Sequence, residues 1–135
     1  MESKNQQQQK VVYYIEDDKD DQDIFKSVLK EVDEHISLVI FDGGEEFLNS
    51  IKTTKSLPDV VFLDLYMPIV DGASCLKELK NTPRYKDIPV IIYSSEFDKN
   101  KIDTVMKIGV NGYIIKPYNY KNLKSSLEGV FKELN

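Results

Sequence analysis

Five short stretches rich in β-branched and aromatic residues alternate along this chain with longer stretches of helical periodicity. The short stretches, each an expected β-strand, are VVYYI (11–15), SLVIF (37–41), VVFL (60–63), VIIY (90–93) and GYII (112–115). Several are apolar at consecutive positions, which is typical of strands that are covered on both faces. In the intervening stretches apolar residues recur at the spacing of amphipathic helices. Strand–helix alternation repeated five times predicts a parallel sheet with helices packed on both faces.

Length, composition and charge exclude several classes of protein. A chain of 135 residues suits one domain with its own core, and its 41% hydrophobic and 30% charged content is ordinary for a soluble globular protein. The apolar runs are far shorter than the roughly 20 residues that span a bilayer. A net charge of −5 argues against nonspecific binding to nucleic acid, so we expect neither a nucleic-acid nor a membrane partner. We expect residues 1–10, MESKNQQQQK, to form a flexible polar tail ahead of one domain over 11–135.

The counts of cysteine and histidine further limit the kinds of site that the chain can form. Cys75 is the single cysteine, so the sequence allows no internal disulfide and favours a reducing, cytoplasmic setting. His35 is the single histidine, which excludes multi-histidine zinc sites and leaves little room for a Ser-His-Asp triad. We interpret His35 as a surface residue and Cys75 as a packing residue.

Residues suited to phosphoryl chemistry follow four of the five expected strands. Glu16 and Asp17 follow the first, Asp64 the third, Ser94 the fourth and Lys116 the fifth. Ligands of such sheets bind at the carboxyl ends of the strands. If the first and third strands are neighbours, their acids crowd together and need a neutralising cation, for which Mg²⁺ suits a set of oxygen ligands. A carboxylate nucleophile, a metal, a lysine and a hydroxyl form a phosphoryl-transfer set.

With these residues at its strand ends, the chain resembles the receiver domain of two-component response regulators. The resemblance covers nearly all of the chain, from Val11 to about Leu134. The motifs that carry the resemblance are YIEDD (14–18), PDVVFLDLYMPIVDG (58–72), IPVIIYSS (88–95) and GVNGYIIKPYN (109–119). The resemblance implies a flavodoxin-like, doubly wound α/β fold with five parallel strands in the order 2-1-3-4-5. It also implies a signalling domain that catalyses only its own aspartyl phosphorylation and dephosphorylation, not an enzyme with an external substrate.

The resemblance assigns the acceptor and the metal ligands residue by residue. Asp64 matches the phosphoacceptor, which takes a phosphoryl group from a histidine kinase or a histidine phosphotransfer protein. Glu16 and Asp17 match the acidic pair that holds Mg²⁺ together with Asp64. The main-chain carbonyl of Tyr66 matches a further metal ligand.

The resemblance also assigns the residues that respond to phosphorylation. Ser94 matches the switch hydroxyl, although threonine is the more usual residue there, and Ser95 matches a small residue that admits the phosphoryl donor. Tyr113 matches the aromatic side chain that changes rotamer, with a core role as its alternative. Lys116 matches the lysine that pairs with phosphoryl oxygens, and family members usually carry a cis peptide before the proline at Pro117.

Other interpretations remain beside these. We interpret Asp18, Asp20, Asp21 and Asp23 as acids that favour the dipole at a helix start. Three other kinds of protein are alternatives. They are an FMN-binding flavodoxin, a phosphatase that uses an aspartyl nucleophile, and a degenerate receiver that signals without phosphorylation. Because the chain ends at Asn135, directly after the fifth expected helix, we expect a stand-alone receiver. It would act by binding an unknown downstream protein or by passing the phosphoryl group onward. Its dimerisation is left open.

Overall fold

Each expected strand and helix forms in the computed structural model, which describes residues 9–95, 98–117 and 119–134. The strands are β1 (Val11–Ile15), β2 (Ser37–Phe41), β3 (Val60–Leu63), β4 (Val90–Ser94) and β5 (Gly112–Ile115). The helices are α1 (Lys19–Val32), α2 (Gly44–Ile51), α3 (Gly72–Asn81), α4 (Lys99–Ile108) and α5 (Tyr120–Leu134). The fourth strand continues one residue further than the sequence predicts and includes Ser94. Of the expected N-terminal tail, residues 1–8 lie outside the described part.

The five strands form one parallel sheet in the order β2-β1-β3-β4-β5, which confirms the doubly wound, flavodoxin-like fold. The connections change direction between β1 and β3, so this pair marks the point at which ligands bind in such sheets. The register pairs Ile15 with Leu63, and it pairs Ser94 with Ile115. The residues that follow these pairs therefore meet at one edge of the sheet.

Two apolar cores sandwich the sheet. On one face β1, β3 and β4 pack against helices α2, α3 and α4 through buried residues that include Phe47, Leu76 and Val105. On the other face they pack against α1 and α5 through residues that include Phe25 and Leu127. The side chains of β3 and β4 are buried throughout, whereas those of the edge strands β2 and β5 are only partly so. The consecutive apolar residues of the central strands therefore reflect burial on both faces.

Side-chain caps start three helices near the carboxyl edge of the sheet. Asp18 accepts a hydrogen bond from the Asp21 amide, Asp71 from the Ser74 amide and Asp98 from the Asn100 amide. Each cap satisfies an amide that the first helical turn leaves without a partner. Asp18 therefore has the role that the sequence predicts for an acid at a helix start.

Among the described residues, no helix has both the length and the apolar character needed to cross a membrane.

Candidate functional site

Three acids from two strand ends lie within reach of one cation. Carboxylate oxygens of Glu16, Asp17 and Asp64 all lie within 4.8 Å of one another. Glu16 and Asp64 are buried, and Asp17 is exposed. The parallel pairing of β1 with β3 produces this group, because Glu16 follows Ile15 and Asp64 follows Leu63. The structure thus brings together the three carboxylates that the sequence predicts for the metal.

The Asp64 carboxylate is held by donors from its own loop and from β4. The Ser94 hydroxyl donates to Oδ1 of Asp64 over 2.9 Å, and the Tyr66 amide donates to the same oxygen over 3.2 Å. The other oxygen, Oδ2, lies 3.7 Å from Nζ of Lys116. Asp64 therefore faces a hydroxyl on one side and a cation on the other.

Lys116 lies at the centre of an acidic cluster. Its Nζ donates to Oε1 of Glu16 over 2.5 Å and to Oδ2 of Asp21 over 2.7 Å. It also lies 5.6 Å from the centre of the Tyr93 ring. Burial alone would lower the pKa of Lys116, but the hydrogen bonds to Asp21 and Glu16 raise it above the ordinary range for lysine. Lys116 is therefore a permanent cation of this site.

Glu16 is the most heavily bonded acid of the group. Its Oε1 accepts a hydrogen bond from the Tyr14 hydroxyl over 2.9 Å, in addition to the bond from Lys116. Its Oε2 accepts a hydrogen bond from the Asp18 amide over 3.3 Å. Burial and the neighbouring Asp64 raise the pKa of Glu16 to about 7, although Lys116 opposes this shift. A bound cation would stabilise the ionised form against that shift.

The donor set fits a hard divalent cation. Three carboxylates offer oxygen atoms only, which suits Mg²⁺, and the exposure of Asp17 leaves room for the waters that Mg²⁺ keeps. Glu16, Asp17 and Asp64 are the residues that would hold it. The main-chain carbonyl of Tyr66, two residues beyond Asp64, stays a predicted ligand.

The remaining site residues lie around this centre. Ser95 is exposed and follows β4 directly, while Tyr113 is partly buried on β5 and packs against the core beneath α4. Lys101 of α4 places its Nζ 5.0 Å from the centre of the Tyr66 ring, a cation–π distance that links α4 to the loop after Asp64. The described residues include no cis peptide bond, so the cis bond expected before Pro117 is not found.

Two residues of the site were missed or misread in the sequence. Asp21 is more than a helix-start acid, because it forms an ion pair with Lys116, 95 residues away. The sequence places Tyr14 in the first strand and in the YIEDD motif and predicts no contact for its hydroxyl, which donates a hydrogen bond to Glu16. The two-residue period of a strand could have indicated this contact, because Tyr14 and Glu16 are two residues apart and so lie on the same face. No local pattern in the sequence indicates the contact of Asp21, since its partner Lys116 follows a different strand, β5.

Two comparisons by sequence identify proteins that resemble this chain. The model of the family described as "Response regulator receiver domain" matches residues 12–128. A probable C4-dicarboxylate response regulator, DctR, of Halalkalibacterium halodurans is 29% identical over 123 residues, which are 89% of this chain and 52% of that protein. The chemotaxis protein CheY1 of Helicobacter pylori is 38% identical over 71 residues, which are 53% of this chain and 57% of that protein. The chain thus spans about half the length of these curated relatives.

Solved structures share both the fold and its strand arrangement. The phosphorylated cyanobacterial phytochrome response regulator RcpA superposes with a TM-score of 0.84 at 28% identity, covering 92% of each chain. The Mn²⁺-bound form of the response regulator Rcp1 superposes with a TM-score of 0.80 at 28% identity, covering 90% of this chain and 91% of that one. Proteins of this shape therefore include one crystallised in a phosphorylated form and one crystallised with a divalent metal.

Proposed function

This chain belongs to the response regulator receiver domain family, and from that premise we propose that it is a phosphorylation-controlled signalling switch with Asp64 as its acceptor. The observation that carries the proposal is the convergence of Asp64 with Glu16, Asp17, Ser94 and Lys116 at one edge of the sheet. Each of these groups has a role in the transfer of a phosphoryl group to a carboxylate.

An Asp64 carboxylate oxygen attacks the phosphorus of a phosphohistidine on a kinase or phosphotransfer protein. The new oxygen–phosphorus bond forms as the nitrogen–phosphorus bond breaks, and the imidazole nitrogen of the donor keeps the electron pair of the broken bond. Lys116 supplies a positive charge 3.7 Å from Oδ2 of Asp64, where charge accumulates on the transferred group. The exposed Ser95 leaves space beside the acceptor for the donor to approach.

The three-acid group is the binding site for Mg²⁺ in this proposal. When bound, the ion would neutralise negative charge on the phosphoryl group and on the carboxylates. Glu16, Asp17 and Asp64 would hold it, and the Tyr66 carbonyl would be a further ligand. The acidic group and the Mn²⁺-bound relative support a divalent cation here.

Phosphorylation then shifts the population between two packings. In the resting structure the Ser94 hydroxyl already donates to Asp64, so a phosphoryl group on Asp64 offers this donor new acceptor oxygens. As Ser94 follows the phosphoryl group, Tyr113 turns inward and alters the surface formed by α4 and β5. That surface binds a downstream protein. The chain carries out this reaction only on itself and turns over no external substrate, and the single thiol favours the cytoplasm as its location.

Incubation of the purified protein with acetyl phosphate and Mg²⁺, followed by intact mass spectrometry, tests the proposal. We expect the wild-type protein to gain the mass of one phosphoryl group and Asp64→Asn to gain none. Asp103→Asn, which alters an exposed acid on α4, serves as the matched control and should gain mass as the wild type does. A wild-type protein that gains no mass would refute the proposal.

Two features oppose the alternative functions. The loop after β1 presents Glu16 and Asp17, which repel the phosphate of FMN where a flavodoxin presents phosphate-binding amides. The phosphatases that use an aspartyl nucleophile usually carry a second aspartate two residues later, where this chain has Tyr66. A yellow purified protein would favour the first alternative, and turnover of a generic phosphate ester would favour the second.

A further inference from the structure

Lys116 is bound to two acids in the resting structure, and the nearer contacts are not to the acceptor. Its Nζ lies 2.5 Å from Glu16 and 2.7 Å from Asp21, but 3.7 Å from Asp64. Two of its three N–H donors are therefore directed at acids that accept no phosphoryl group. At 3.7 Å the ammonium lies beyond hydrogen-bond distance of Asp64, so the two shorter contacts hold the lysine away from the acceptor.

Of the two contacts, only the one to Glu16 involves an acid of the three-acid group that could hold a metal. Glu16 belongs to the three-acid group, so a bound cation competes with Lys116 for its carboxylate. Asp21 lies outside that group, in the first turn of α1, and its side chain is 35% exposed. The Asp21 carboxylate would thus stay available as a resting partner for Lys116 when a cation occupies the three-acid group.

We propose that Asp21 is a positioning residue that holds Lys116 in a resting position and so sets how readily Asp64 is phosphorylated. This inference rests on the proposed function of Asp64. Asp21 touches neither the acceptor nor the metal group, and it acts only through Lys116. Phosphorylation draws Lys116 towards the new phosphoryl oxygens, and Asp21 regains water because it lies at the surface.

The neighbouring acids of α1 provide matched controls. Asp20 and Asp23 are exposed residues of the same helix, and within the described part of the chain neither forms a hydrogen bond or ion pair with Lys116. Asp20→Asn and Asp23→Asn change the net charge as Asp21→Asn does. The Asp18 cap also survives in Asp21→Asn, because it uses the main-chain amide of Asp21.

The test measures the rate of phosphoryl uptake from acetyl phosphate at saturating Mg²⁺, by intact mass. We expect Asp21→Asn to take up phosphoryl groups about threefold to tenfold faster than the wild type, the range for loss of a partly buried, charge-assisted contact. Asp20→Asn and Asp23→Asn should stay within about twofold of the wild type, as surface charge changes do. Asp21→Glu, which restores the carboxylate, should return most of the way to the wild-type rate.

A second measurement shows whether Asp21 acts through Lys116. We expect Asp21→Asn and Lys116→Met to have non-additive effects on the free energy of unfolding without Mg²⁺, and Asp20→Asn and Lys116→Met to have additive ones. Unchanged or slower uptake in Asp21→Asn, equal acceleration in Asp20→Asn, or additive unfolding energies for the Asp21 and Lys116 pair would each overturn the inference. A wild-type protein without any mass gain would instead refute the proposed function.

Discussion

Glu16 and Asp64 are 1% and 5% exposed, so each carboxylate depends on protein donors for the hydrogen bonds that water would otherwise provide. Asp64 receives bonds from Ser94 and from the Tyr66 amide. Glu16 receives bonds from Tyr14, Lys116 and the Asp18 amide. Single hydroxyl groups therefore contribute measurably to the stability of this site.

The Tyr14 hydroxyl allows a test of how much one hydrogen bond to Glu16 contributes to stability. Tyr14→Phe removes the hydrogen bond to Glu16 and keeps the ring, so we expect the free energy of unfolding to fall by about 1–3 kcal/mol, the range for bonds to charged or buried acceptors. Urea denaturation measures the change. Tyr13→Phe is the control, because its hydroxyl bonds the Ser56 carbonyl at a longer 3.3 Å and outside the site, and it should lose less. Equal losses in the two variants would contradict the role given to Tyr14.

The buried thiol provides the second test. Burial, with a smaller contribution from Asp71, raises the pKa of Cys75 from 9.0 to about 12. Between these two values the unfolded thiol ionises and the folded one does not, so this group's contribution to stability is lost as pH rises through that window. At about pH 9 we expect iodoacetamide to alkylate the native protein at least about tenfold more slowly than the urea-unfolded protein. Similar rates would show that Cys75 is accessible in the fold, and Cys75→Ser controls for reaction elsewhere.

At the scale of elements, the loop from β3 to α3 sets the position of Asp64, the proposed acceptor. The Gly72 amide donates to the Leu65 carbonyl over 3.2 Å, and a Cβ atom at Gly72 would overlap the main-chain atoms of Asp64 and Leu65. The start of α3 therefore packs directly on the backbone of Asp64. Any larger residue at this position must push the helix and the strand end apart.

Gly72→Ala tests this packing. We expect it to lower the free energy of unfolding by more than about 2 kcal/mol, as overpacking against the main chain does. Gly129→Ala is the matched control, because that glycine lies within α5 with open space around it. Since alanine has the higher helix propensity, the control should be stabilised by up to about 1 kcal/mol. Urea denaturation distinguishes the two, and a neutral Gly72→Ala would show that the loop can relax.

The sheet as a whole holds the acids together against their mutual repulsion. Glu16 and Asp17 come from the end of β1 and Asp64 from the end of β3, and the strand pairing brings their carboxylates together. A cation that binds the folded protein and not the unfolded chain therefore stabilises the fold by mass action.

Mg²⁺ should for this reason raise the melting temperature. At about ten times its dissociation constant the ion adds about 1.4 kcal/mol, or roughly 3–6 °C. Asp17→Asn should abolish most of this rise with little effect on the metal-free protein, because Asp17 is exposed. Asp23→Asn should keep the full rise. Thermal melts with Mg²⁺ and with EDTA measure these shifts, and an undiminished rise in Asp17→Asn would place the ion elsewhere.

The sequence alone determined the elements, their order along the chain and the residues predicted to meet at the candidate site. Helical and strand periodicity reflect which side chains are buried locally, so the alternation of apolar residues was enough to locate β1 to β5 and α1 to α5. The residues at the strand ends then identified Glu16, Asp17, Asp64, Ser94 and Lys116, because parallel strands bring their carboxyl ends to one edge.

Tertiary structure alone decided which of these groups touch. Lys116 is separated by 100 residues from Glu16 and by 95 from Asp21, and no local pattern relates positions so far apart. Its contact with Asp21 depends on how α1 packs against α5 and the sheet. The bond from Tyr14 to Glu16 depends on how the Tyr14 ring packs against Phe25 of α1. Contacts of this kind follow from packing in three dimensions, which periodicity along the chain does not encode.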